Sequence, residues 1–252
     1  MYHYFELIWF RARAELHAEA SRAYTGMLWW IIEPVLYMAA FYFIFAVGFR
    51  GKNEDFVPFL LCGLVPWKWF SSMIMSGARC ITANRALIQQ VYLPKIVLLG
   101  IALVISTRKF LIILALLLLF LLVYGIPPST SWFGLPLIML VQMLLMLAIA
   151  GAGAVILPFF PDIKLIIDNG LLVLFFLSGI FFEISSTTET VQQYLMMNPV
   201  AVLINAYRDV LLTGSWPDWG QLMITGILSS VVIALVWMAL VRFDRVYPKI
   251  VS

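Results

Sequence analysis

Six long apolar stretches alternate with polar connections along this chain, and their lengths predict the fold. A bilayer core takes about 20 apolar residues per helix. The stretches run over 31–49, 57–78, 96–123, 133–157, 165–182 and 219–241. The first opens on Glu33-Pro34. A proline fits the first helical turn, where its missing N–H is not needed, and a carboxylate suits the positive end of the helix dipole. Between the fifth and sixth stretches, 183–218 is too long for a simple turn, yet 200–212 within it is as apolar as a half-span. Thirteen residues cannot cross the core, so a re-entrant or interfacial helix is expected there, entered at the break that Asn198-Pro199 imposes. The pattern predicts an all-α integral membrane protein with six transmembrane helices and short external re-entrant helices after the fifth.

Ahead of the first stretch, Phe5, Ile8, Trp9, Ala12 and Leu16 recur at helical spacing, with Arg11, Glu15 and Arg22 on another face. This predicts an amphipathic helix on the membrane surface. The charges at Glu6, Arg11, Arg13, Glu15, Glu19 and Arg22 interrupt any run that would serve as a cleavable signal. Simple anchoring and contact with another subunit account for this helix equally well. The chain reads as one domain over 1–252: an interface helix within 1–30, a six-span bundle over 31–242 and a tail over 243–252.

Composition agrees. The 252 residues are 63% hydrophobic and 12% charged, with mean hydropathy +1.01, against about 25% charged in soluble domains. Basic residues set the orientation. One set of connections holds Arg11, Arg13, Arg22, Arg79, Arg85, Lys95, Lys164, Arg242, Arg245 and Lys249; the other holds Arg50, Lys52 and Arg208. Both termini are therefore expected in the cytoplasm, a parity that six spans satisfy. A net charge of +3 without a basic run argues against nucleic acid. Cys62 and Cys80 read as buried free thiols, and His3 and His17 have no cysteine cluster with which to hold a metal.

Catalytic signatures are missing. There is no nucleotide loop of the GxxxxGK[ST] type, no HExxH, no GxSxG and no CxxC. If ATP drives this protein, another chain hydrolyses it. Three cations interrupt the apolar stretches: Lys68, Arg108 and Lys109. They must face water, protein or an anion, or else snorkel to the interface. Tyr37, Phe41 and Phe45 recur every four residues and stack along one helix face; with Tyr42, and with Phe176 and Phe181 on the fifth stretch, they form an aromatic lining on which sugar rings could slide. Lipid-facing packing is the plainer role of each. The small residues of Ala148-Ile149-Ala150-Gly151-Ala152-Gly153-Ala154 predict close helix packing.

Several segments, in order, resemble the membrane subunit of ABC exporters of cell-surface polysaccharides, the O-antigen, capsule and teichoic-acid permeases. Ser21-Arg22-Ala23-Tyr24-Thr25-Gly26-Met27-Leu28-Trp29 with Glu33-Pro34 resembles the family's entry into its first span. Phe59-Leu60-Leu61-Cys62-Gly63-Leu64-Val65-Pro66-Trp67 is similar to its second. Asn84-Arg85-Ala86-Leu87-Ile88 with Tyr92-Leu93-Pro94 resembles its cytoplasmic coupling segment. Phe159-Phe160-Pro161-Asp162-Ile163 and Asn198-Pro199 with Tyr207-Arg208-Asp209 are similar to its later loops. Two positions depart from the pattern: Pro161 stands where an arginine is usual, and no proline lies near Gly179-Ile180.

The resemblance implies a homodimer in a bacterial inner membrane, bound to two copies of a cytoplasmic ABC ATPase subunit that carries the ATP and Mg. No cofactor is expected on this chain, and the implied cargo is a lipid-linked polysaccharide. Arg11, Glu15, Arg85, Leu87, Gln89, Tyr92 and Asp162 are the expected ATPase-coupling residues. Export of a drug or small lipid is the neighbouring alternative. A membrane enzyme acting on polyprenyl-phosphate lipids is more remote, because no set of convergent carboxylates or histidines assembles near one face.

Overall fold

The computed structural model describes residues 2–22, 32, 35, 36, 43, 56–91, 93–184, 187–244 and 246–250. Among these residues the chain is helical nearly throughout and has no strand. The helices are α1 (Tyr2–Arg22), α2 (Phe56–Ala78), α3 (Cys80–Ala83), α4 (Arg85–Gln90), α5 (Lys95–Tyr124), α6 (Leu135–Ile156), α7 (Ile163–Leu177), α8 (Glu189–Met196), α9 (Pro199–Arg208), α10 (Trp219–Phe243) and α11 (Tyr247–Ile250). A 3-10 turn at Thr130–Gly134 leads into α6, and α9 runs on into a π turn at Asp209–Thr213.

Among the described residues, four helices are long and apolar enough to cross a membrane: α2, α5, α6 with its 3-10 lead-in, and α10. The count is five if α8 and α9, bent by 101° at their junction, together make one span. The protein is thus a multi-pass membrane protein. The expected first span, 31–49, lies outside the described residues except at 32, 35, 36 and 43. The four long helices fall within a few residues of the apolar stretches that predict them.

Local chemistry sets their ends. Asp218 precedes α10 and its Oδ1 accepts from the N–H groups of Gly220 at 2.9 Å and Gln221 at 3.3 Å, a side-chain N-cap. Gly125 closes α5 in the left-handed conformation at φ 101°. The fifth apolar stretch differs from its expected 165–182. Its helix, α7, stops at Leu177 after 15 residues, a rise of about 22 Å against a hydrocarbon core of about 30 Å. The chain turns at Gly179, φ 66°, a value a side chain disfavours.

α6 is the central helix. It packs on α2 along one side and on α10 along another; α5 lies on α2, and α1 lies on α5. The small residues of α6 make this possible. A Cβ on Gly153 would fall 2.7 Å from Cβ of Ala78, and one on Gly151 would fall 2.7 Å from Cγ1 of Val236. In lipid, where apolar surface drives no association between helices, such close approach supplies the packing energy. Trp69 stacks on Phe110 with centroids 4.0 Å apart, joining α2 to α5. Gln142 of α6, buried, donates through Nε2 to the carbonyl of Pro66 at 2.9 Å, placing a polar link at the proline in α2.

Overpacking this seam should be costly. Gly153→Leu should destabilise the solubilised protein by about 1–3 kcal/mol, read as a lower thermal midpoint. Gly170→Ala, on α7 where a Cβ meets nothing within 4 Å, should leave the midpoint unchanged or raise it.

Candidate functional site

Two polar assemblies occupy opposite ends of the bundle. At the basic end, α2 breaks at Arg79 and the chain continues through α3 and α4. Ile81, Ile88 and Leu93 are buried and hold this segment down, while Arg85, Gln89, Gln90 and Val91 are exposed. Arg85 and Gln89, four apart on α4, share a face. Leu87 is half-buried and packs against the core. The result is a short amphipathic ledge whose polar side faces away from the bundle.

Side chains tie this ledge to its neighbours. Arg11 of α1 donates through Nη2 to Oδ1 of Asn84 at 3.1 Å. One turn on, Glu15 is exposed, while Ala12 and Leu16 are buried and Ile8 lies close against Gly100 of α5. α1 therefore packs on protein through Ile8, Ala12 and Leu16 and keeps Trp9 and Phe10 on its outer side. Arg79 donates from Nη2 to both oxygens of Asp168 in α7, at 2.5 and 2.8 Å. Lys95, at the start of α5, pairs with Asp244 at the end of α10, Nζ to Oδ1 3.2 Å, with the lysine side chain only 1% exposed. Removing one partner of such a buried pair costs about 3–5 kcal/mol. Phe159 sets its ring edgewise to Phe243 and Tyr247, joining the 157–162 turn to α10 and α11. Asp162, next in that turn, is exposed at the N-terminal end of α7. Burial pushes the Cys80 thiol up to about 12, so it stays protonated and unreactive at neutral pH.

At the other end, Arg208 is the organising residue. It is 5% exposed. Its Nη1 donates to the Gly179 carbonyl at 2.7 Å, Nη2 to the Ile180 carbonyl at 2.8 Å, and Nε to the Phe59 carbonyl at 3.2 Å. The guanidinium lies 3.5 Å over the Phe59 ring. Gly63 leaves room for it: a Cβ there would come within 2.9 Å of Nη2. Asn198 completes the assembly, donating to the Leu177 carbonyl at 3.3 Å and to Ser178 Oγ at 3.1 Å while its Oδ1 caps α9 through the Val200 N–H at 3.0 Å. The last carbonyls of a helix lack partners within it. Here Asn198 supplies the Leu177 carbonyl, Arg208 supplies the carbonyls of the turn that follows, and the positive guanidinium lies toward the negative end of the α7 dipole.

The other residues singled out from sequence are scattered. Arg108 snorkels back along α5 and sits 3.8 Å over the Trp9 ring of α1, the direction in which helical side chains lean; it faces protein. Lys68 and Lys109 are half-buried. Phe181 packs with Phe175 at 5.1 Å and with Phe176 at 6.1 Å, and Phe175 meets Trp67 at 5.4 Å, an aromatic cluster where α7 leaves α2. Tyr37, Phe41, Tyr42, Phe45 and Tyr92 lie outside the described residues. Sequence reasoning missed Asp168 and Asp244, and it took Arg208 only as an external charge. The signal was present for two of them: an acid inside the fifth apolar stretch and an arginine inside the apolar half-span both demand a partner.

Arg208→Ala should leave the Gly179 and Ile180 carbonyls without their side-chain donor and cost about 3 kcal/mol or more. The turn should then open, read as faster chymotrypsin cleavage at 180–184, where Ile180 and Ile184 are now buried. Arg208→Lys should recover only part, because one ammonium cannot reproduce the planar fork.

Known proteins are similar to this chain in sequence. Residues 8–212 match the model of the ABC-2 type transporter family. The O-antigen export system permease protein RfbA of Myxococcus xanthus is 29% identical over 246 residues, 97% of this chain and 94% of its own length. The protein of that name from Klebsiella pneumoniae is 27% identical over 231 residues, covering 90% and 89%. The polysialic acid transport protein KpsM of Escherichia coli is 25% identical over 205 residues, 79% of each chain. The family match takes in the ledge, the ion pair on α7 and the arginine clamp within one continuous stretch, and the chain belongs to the ABC-2 type transporters as a membrane permease.

Proposed function

We propose that this chain is the membrane subunit of an ATP-driven exporter that moves a lipid-linked cell-surface polysaccharide, such as an O-antigen, out of the cytoplasm. The observation that carries this reading is its likeness, over nearly the whole of each chain, to permeases named for O-antigen export. In this reading ATP and Mg sit on a separate ABC ATPase subunit, which accords with the lack of a nucleotide loop in this sequence. Two permease copies with two ATPase subunits would place the path at a symmetric interface, since one bundle packed as tightly as α2–α6–α10 leaves no room for a polymer.

In this reading the complex sits in a bacterial inner membrane with both termini in the cytoplasm. The stretches 31–49 and 165–182 add two spans to the four long helices, α8 and α9 forming the external re-entrant hairpin after the fifth. The basic end then faces the ATPase. Arg11, Glu15, Arg85, Leu87, Gln89, Tyr92 and Asp162 make the coupling contacts, which accords with the exposure of Glu15, Arg85, Gln89 and Asp162. Tyr37, Phe41, Tyr42, Phe45, Phe176 and Phe181 line the path.

Deleting the gene in its native host should make polysaccharide accumulate inside the cytoplasm, seen by fractionation and immunolabelling, and the intact gene should restore it outside. Unchanged surface polymer would favour export of a drug or small lipid instead; loss of polymer both inside and outside would point to synthesis. Arg85→Glu combined with Gln89→Lys should lower the ATPase recovered with the permease by about tenfold, a change of about 1.4 kcal/mol, without reducing the amount of permease in the membrane.

A further inference from the structure

α7 is the least embedded of the long apolar helices. Leu171 is its single buried residue among the described ones. Leu165, Ile166, Leu172, Val173, Phe176 and Leu177 are exposed, and a Cβ on Gly170 would touch nothing. It makes few approaches to α2 and α6, where α10 meets α6 along its length. Polar side chains toward its two ends supplement a thin apolar contact made by Ile167, Leu171, Leu174 and Phe175. At the hairpin end Asn198 donates to its Leu177 carbonyl and Arg208 to the carbonyls of the turn just beyond it. At the basic end Arg79 grips Asp168, about 8 Å along the axis from the start of the helix.

Arg79 sits where α2 gives way to the ledge. Ala78 before it is wedged against Gly153 of α6, and Cys80 after it begins the segment that carries Arg85 and Gln89. The ledge rests on the bundle through Ile81 and Ile88, and its link to α7 is the Arg79 guanidinium. Asp168 is also costly to retain in an apolar stretch, since a carboxylate at membrane depth is expensive without a partner. Neutralisation alone would be met more simply by an uncharged pair.

We propose that the Arg79–Asp168 ion pair is the strut that carries movement of the ledge into α7, which makes Arg79 and Asp168 positioning residues for transport. This rests on the reading of the chain as an ATP-driven permease. Both side chains are about one-third exposed, 32% and 33%, so the pair adds little stability, about 0–1 kcal/mol. Its role lies in geometry: one guanidinium nitrogen, Nη2, is held between both carboxylate oxygens of Asp168, which fixes the distance from the ledge to α7.

The test uses the whole permease–ATPase complex in proteoliposomes. Arg79→Gln with Asp168→Asn removes the charge but keeps polar side chains of similar size; Arg79→Asp with Asp168→Arg reverses the pair. The strut predicts that the neutral double variant is present at the normal level and hydrolyses ATP at the normal rate. Its polysaccharide export should fall by about tenfold, within the range of coupling energies between sites, and the reversed pair should recover most of it. A neutral variant that exports as well as the original protein would overturn the proposal and leave the pair as simple neutralisation. A second readout needs no cargo. Maleimide labelling of Leu172→Cys should change between nucleotide-free and vanadate-trapped complex, and that change should vanish in the neutral variant and return in the reversed one. It separates the strut from the identity of the substrate: a persisting change in the neutral variant overturns the strut, whatever is exported.

Discussion

The carbonyl groups at the end of α7 are the constraint on which the hairpin end depends. A helix that stops about 22 Å along leaves its last carbonyls at membrane depth, where an unsatisfied one costs on the order of several kcal/mol. Asn198 answers this at Leu177, and Arg208 reaches across from α9 to the Gly179 and Ile180 carbonyls of the turn that follows while anchoring on the Phe59 carbonyl of α2. The rest of the hairpin follows. Asn198 must break the chain and cap α9 so that Arg208 arrives at the right depth, Gly63 must lack a side chain, and Gly179 must turn left-handed. One short helix thus dictates the residues of three other segments.

That arrangement divides the molecule into two mechanical classes. α2, α6 and α10 are joined by close packing of small residues and behave as one body, because tight cores resist continuous deformation. α7 is joined to that body by a thin apolar contact and by polar links toward its ends, which can hold orientation while permitting a shift of the whole helix. The basic end couples the two classes, since the ledge of α3 and α4 touches α1 through Asn84 and α7 through Arg79. An ATP-driven permease needs such a division: a frame that stays put and an element that moves when the cytoplasmic face is pushed.

Much of the frame was legible in the sequence. The lengths of the apolar stretches place α2, α5, α6 and α10 to within a few residues, because hydropathy and bilayer thickness together leave little freedom. The run 148–154 reads as a packing seam, and Gly151 and Gly153 are where α2 and α10 approach. Asn198-Pro199 marks the start of α9, because proline limits the residue before it. What was not legible depends on pairing between distant positions. Arg79 with Asp168 and Lys95 with Asp244 are 89 and 149 residues apart in sequence, and no local pattern joins them. α7 ends five residues before the apolar pattern does, since Phe181 and Phe182 are apolar but belong to the turn that Arg208 holds. The sequence leaves Arg108 facing either protein or an aqueous path, and the Trp9 ring beneath it makes that protein. Hydropathy specifies depth, but it does not specify partners.

The central claim is that α7 moves with the ledge and relative to the frame, and spin-label distances test it most directly. Labels at Gln89→Cys, Asn169→Cys and Ile156→Cys report the ledge, α7 and α6, all at exposed positions, while the buried Cys62 and Cys80 stay unlabelled. Pairwise distances would be taken in the permease–ATPase complex, diluted with unlabelled chain, without nucleotide and trapped with ATP. The account predicts that the 89–169 distance stays constant while the 156–169 distance changes. A constant 156–169 distance with a changing 89–169 distance would contradict it, leaving α7 as part of the frame.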